Sequence, residues 1–139
     1  MTARRTPEKA VQQQIVTFIK TIGGKVKVVG TRRPREDRHH STFQTPGIPD
    51  LIVFVPLPAE PYSGRVRNLH GYIEVKAEGG RLRPEQREFQ QDCAEAGVEH
   101  VVGDLDAVVA WLMRHGVIKP DQVAHYRVPP EFRDGQLRD

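Results

Sequence analysis

The sequence predicts an α/β fold: a mixed sheet flanked by helices, in the order α-β-β-β-α-β-α. Three observations carry this reading. Apolar residues recur at helical spacing near both ends of the ordered pattern. Short strand-like apolar runs lie between them. Glycine and proline punctuate the junctions. Helices layered on a sheet are the usual way to bury such a set of elements.

The first helix is expected over about residues 7–22. Thr6 reads as its N-cap, Pro7 as its first helical residue and Glu8 as a first-turn acid. Val11, Ile15, Phe18, Ile19 and Ile22 form one apolar stripe, and Gly23-Gly24 ends it. Lys25 to Val29 alternates like a strand with one polar face. Residues 31–47 hold Arg, His, Ser, Thr, Pro and Gly without periodicity and read as a long loop. Asp50 to Val55 is a nearly continuous apolar run, the pattern of a strand covered on both faces. Residues 56–68 are Pro-rich and read as a connection, turning near Ser63-Gly64. Leu69 to Lys76 reads as a strand that can form a hairpin with 50–55. Pro84-Glu85 opens a second helix to Ala96, stopped by Gly97, with a thin apolar face of Phe89, Cys93, Ala94 and Ala96. Val98 to Val102 is a short strand. Asp104 caps a third helix, Ala107 to His115, carrying Val108, Val109, Trp111, Leu112 and Met113. The expected domain is 1–118, followed by a polar tail, 119–139.

Composition bounds the function. The chain has 139 residues, enough for one domain with a real core. Hydrophobic content of 37% and charged content of 28% fit a soluble protein. The single cysteine, Cys93, excludes an internal disulfide framework and a thiol-based zinc cluster. No apolar run reaches the roughly 18 residues of a membrane span. Residues 1–7 lack the apolar core of a secretory signal, so a cytoplasmic protein is expected. The net charge of +3 is bland as a total, but residues 1–50 hold ten Lys/Arg against four acids. That asymmetry points to a polyanion partner, against a solvated loop as the alternative.

Chemistry concentrates in two stretches, Gly47-Ile48-Pro49-Asp50 and Glu74-Val75-Lys76. Glu74 and Lys76 are two apart on a strand and share a face. A hairpin sets Asp50 beside Glu74, and two close carboxylates call for a hard divalent cation between them. Lys76 can then position a water or neutralise charge on a phosphoryl group. Taken alone, Glu74–Lys76 is better explained by an exposed same-face ion pair on an edge strand, and Asp50 can merely cap a turn after Pro49; the two together, both opening strands, reverse that preference.

This pattern resembles the PD-(D/E)xK nuclease signature. The glycine two residues before Pro49, with Glu74-Val75-Lys76-Ala77, Gly80-Arg81-Leu82 and Pro84-Glu85-Gln86, is similar to the stand-alone VRR-NUC branch, whose small members occur in phages and bacteria. The resemblance covers about residues 7–112 and implies an αβββαβ core, here with an added C-terminal helix. It implies Asp50, Glu74 and the main-chain carbonyl of Val75 as metal ligands. Lys76 would orient or activate the attacking water, and Gln86 would hydrogen-bond near Lys76 or the phosphate. Glu8 would reach the metal directly or through water; its alternative role is to complement the helix dipole. The implied activity is a Mg²⁺-dependent deoxyribonuclease, with Mn²⁺ able to substitute. It would hydrolyse phosphodiester bonds structure-selectively, at four-way (Holliday) junctions or other branched DNA, as a homodimer in a bacterium or phage-infected cell. A non-catalytic DNA-binding module that kept the fold is the alternative.

Around the site, Arg32, Arg33, Arg35 and Arg38 are expected DNA-backbone contacts, because arginine pairs bidentately with phosphate. His39 and His40 are expected either to contact phosphate or to sit in a solvated loop. Arg81 and Arg83 flank the active strand and helix and are expected phosphate contacts too. Trp111 and Phe89 are expected to fill core, and Cys93 to be packed rather than reactive.

Overall fold

The chain's seven elements appear in the expected order in a computed structural model that describes residues 7–29 and 45–122. They are α1 (Glu8–Thr21), β1 (Lys25–Val28), β2 (Leu51–Leu57), β3 (Arg67–Val75), α2 (Pro84–Ala96), β4 (Glu99–Gly103) and α3 (Leu105–Arg114). The strands form one sheet in the order β1-β2-β3-β4. β1, β2 and β3 are antiparallel neighbours, whereas β4 runs parallel to β3. A parallel neighbour needs a crossover, and α2 supplies it.

Alternation sorts the strands into two faces. Val53 and Val55 on β2, with Leu69, Ile73 and Val75 on β3, are buried against Val11, Ile15, Phe18 and Ile19 of α1 and Val108, Trp111 and Leu112 of α3. Trp111 lies against β3 at Gly71, where a Cβ would stand 3.0 Å from its ring. Its indole Nε1–H donates to Glu99 Oε1 at 2.7 Å. Removing so large a buried ring costs about 3–5 kcal/mol.

Several boundaries differ from expectation for identifiable reasons. Pro7 is the N-cap of α1 rather than its first residue, with no side-chain cap bond; Thr6 lies outside the described residues. The expected connection 56–68 is shorter, because Pro56 and Leu57 extend β2 and Arg67 and Asn68 extend β3. Proline is tolerated at 56 because β1 pairs no farther along β2 than Phe54, which leaves that N-side without a ladder partner. On α2, Ala94 and Ala96 are exposed, so its apolar face is narrower than expected. Asp104 does cap α3, accepting the Ala107 N–H at 3.3 Å, but the helix starts at Leu105 rather than Ala107. Ile118 is buried in the core, and residues 123–139 of the expected tail lie outside the described residues.

Candidate active site

The residue before β2 is fixed from both sides. The Asp50 carbonyl accepts the Val29 N–H at 2.8 Å, which extends the β1–β2 pairing by one step. Its carboxylate Oδ2 accepts the Val75 N–H at 2.8 Å, which ties it to the end of β3. Because Leu51 pairs with Ile73, Asp50 and Glu74 fall side by side on the face away from the α1–α3 core. Glu74 is only 3% exposed. Burial, then the hydrogen bond and negative charge of Asp50, push its carboxyl up to about 8 against the opposing pull of Lys76. The Glu74 carboxyl therefore favours its protonated form near neutral pH when no cation stands beside it.

Lys76 follows β3 directly. Its backbone N–H donates to the Gly103 carbonyl at 2.9 Å, and its Nζ lies 3.8 Å from Glu74 Oε2 with only 12% of the side chain exposed. The ammonium is thus held over the carboxylates.

Helix α2 closes the site from above. Gln86 sits in its first turn and is buried. Its Oε1 accepts the Arg83 N–H at 2.8 Å, satisfying a free donor at the helix start. The remaining Nε2–H₂ group donates to Glu74 Oε2 at 3.1 Å. One amide thereby caps the helix and orients a site carboxylate. The loop before Asp50 is pressed onto the same helix start at Gly47, which has φ +88°, and a Cβ there would meet the Glu85 carbonyl at 2.4 Å. Only glycine meets both demands.

These elements surround a cleft of about 770 Å³. Glu8, Asp50, Glu74, Lys76, Arg81, Arg83 and Gln86 all line it. Gly47, Ile48 and Glu85 of the motif stretches also line it, and Thr45 and Pro46, which sequence reasoning did not single out and which carry no chemical signature, complete its wall. Glu8 lines the cleft without joining Asp50 and Glu74 as a third converging ligand; among the described residues no group of three His, Cys, Asp or Glu side chains forms a metal cluster. The candidates Arg32, Arg33, Arg35, Arg38, His39 and His40 lie outside the described residues.

The donor set fits a hard divalent cation. Two carboxylates, Asp50 and Glu74, stand adjacent, one of them withdrawn from water, and the strand-end carbonyl of Val75 belongs to the residue directly after Glu74. Among the described residues that line the cleft, the side-chain oxygen donors include carboxylates and an amide, the kind that hard cations prefer. The lining also holds the exposed Arg81 and Arg83, the latter ion-paired with Glu85 at 3.3 Å. Trp111 and Phe89 take no part in the cleft. Cys93 is buried, and burial raises its thiol pKa, consistent with a packing role. No described helix is long and apolar enough to cross a membrane.

A family model of the VRR-NUC domain matches residues 31–104. A solved VRR-NUC domain structure superposes with a TM-score of 0.51 at 22% identity, covering 78% of this chain and 95% of that one. No curated protein matches the sequence.

Proposed function

The chain belongs to the VRR-NUC family, and from that premise we propose that it is a Mg²⁺- or Mn²⁺-dependent DNA endonuclease acting on branched DNA. The observation that carries the reading is the Asp50–Glu74 pair, with Lys76 at 3.8 Å and Gln86 at 3.1 Å from Glu74, inside a cleft bearing two arginines.

Asp50, Glu74 and the Val75 carbonyl would hold the cation, with Glu8 available through water. When bound, such a cation polarises a phosphoryl oxygen and makes water easier to deprotonate. The protein's own groups do the rest. Gln86 keeps the Glu74 carboxylate turned into the cleft. Lys76 orients the attacking water and offsets negative charge that develops on the phosphoryl group. Arg81 and Arg83 take flanking phosphates. Water adds to phosphorus, the bridging P–O bond breaks, and the product carries a new hydroxyl and a terminal phosphate.

Branched DNA and a two-fold homodimer complete the proposal: two copies of the site could cut the two strands of a symmetric junction. The test is cleavage of end-labelled four-way junction, flap and linear duplex with Mg²⁺ or Mn²⁺. A preference for branched substrates, with products appearing in symmetric pairs for the junction, supports it. Equal cutting of linear duplex rejects the structure selectivity. Binding without cutting in either metal leaves the non-catalytic DNA-binding module.

A further inference from the structure

The sheet face that carries Glu74 is only partly covered. α2 lies over its β3–β4 side, where Phe89 meets Tyr72 edge-on at 5.1 Å and His100 at 5.8 Å. Toward β1, no described helix lies over it. Two cross-strand rows run across this face, open at their β1 ends. Lys25 pairs with Phe54, which pairs with His70; Lys27 pairs with Ile52, which pairs with Tyr72.

The chemistry of these rows is uneven in a telling way. The Phe54 and His70 rings stack at 6.1 Å with only 18° between their planes. Phe54 is 38% exposed, although a phenylalanine gains most from full burial, and His70 beside it is exposed too. Lys25 and Lys27 are exposed on the same face, and no acid shares the open face of β1, β2 and β3 before Asp50 and Glu74 at the far end. Phe54 lies four residues along β2 from Asp50, about 13 Å at strand spacing. An exposed aromatic pair beside two lysines, a short step from the cleft, has the parts that hold unpaired bases: a π surface for the base and cations for the backbone. A paired duplex hides its base faces and would find no use for the platform.

We propose that the open face of β1–β2–β3 is a docking surface for an unpaired DNA strand running into the cleft, with a base stacked on Phe54–His70 and its phosphates on Lys25 and Lys27. The proposal rests on the nuclease reading for its direction toward the cleft, but its test does not require cleavage. Fluorescence anisotropy with labelled oligothymidylate, and with a duplex of equal length, is measured in EDTA. The full chain is expected to bind the single strand. Phe54→Ala should weaken that binding roughly 10-fold, whereas Phe54→Trp should retain it. Lys25→Ala with Lys27→Ala should lower the salt slope of single-strand binding by about 1.4. Thermal melting of each variant confirms that it is folded. The proposal is overturned if folded Phe54→Ala binds oligothymidylate as tightly as wild type, if wild type does not bind it, or if sedimentation shows that Phe54→Ala converts a dimer to a monomer, which would make this face an interface between copies. Cleavage with Mg²⁺ is scored separately: its absence would remove the nuclease reading while leaving the binding result to stand.

Discussion

Glu74 is asked to be two things, a buried group and an anion, and the site is arranged around that conflict. Its proton affinity is raised to about 8, first by burial and then by Asp50. The metal-free folded state therefore holds a proton that the unfolded chain releases near the ordinary carboxylate range. That stability is present below the unfolded value and is lost as pH rises through about 8. Thermal melting in EDTA should accordingly show a midpoint falling from pH 5 to pH 9, and Glu74→Gln should flatten the fall. A midpoint in the variant that falls as steeply would contradict the assignment. Gln86 carries the second residue-scale prediction. Gln86→Ala removes both the helix cap and the hold on Glu74, so stability should drop by about 1 kcal/mol and cleavage by roughly 10–100-fold. A loss of stability with unchanged cleavage would leave Gln86 a cap alone. The acids and the lysine were legible in the sequence through their combination, since an exposed ion pair or a turn cap explains either stretch alone. The double use of Gln86 was not, since its second partner is a backbone N–H at Arg83 that only the helix geometry supplies.

At the scale of elements, the hairpin makes the site and the start of α2 shapes it. Strand periodicity revealed both β2 and β3, and their antiparallel pairing followed from the short connection between them. What periodicity could not give was the length of that connection. Pro56 marks a turn in sequence, yet it sits in β2 because the β1 ladder ends before it. Similarly, Ala94 and Ala96 read as a core face but are exposed, since the face of α2 that meets the sheet is spent on Gln86, Phe89 and Cys93. Gly47 is the joint between the two halves of the site. Gly47→Ala must strain a backbone at φ +88° and displace the Glu85 carbonyl. We expect a loss of about 1–3 kcal/mol in chemical denaturation, accompanied by reduced cleavage, because the loop that delivers Asp50 shifts with it. An alanine variant as stable as wild type would show that this loop does not need its contact with α2.

For the whole molecule, charge divides by role. Four acids line the cleft, whereas ten lysines and arginines fall in the first fifty residues. The total of +3 hides this because the two populations cancel. The arginines at 32, 33, 35 and 38 are proposed phosphate contacts; reversing Arg32 and Arg35 to glutamate should lower the salt slope of duplex binding by roughly 2, and an unchanged slope would remove them from the interface. The α/β layering and the element order were fully legible in the sequence, since both depend on short-range patterning. The open face beyond α2 was only half legible: the alternation of Lys25 and Lys27 announced a polar strand face, but the Phe54–His70 stack depends on register between distant strands. Asp50, Glu74 and Lys76 are proposed to form one metal-dependent phosphodiesterase centre. The most direct measurement is the Mg²⁺-dependent cleavage rate of a labelled branched DNA by wild type, Asp50→Asn and Lys76→Ala at equal DNA occupancy. Wild type is expected to cut in a manner that EDTA abolishes, with each variant slowed roughly 100-fold or more while still binding; equal cutting by wild type and Lys76→Ala would remove these residues from the reaction.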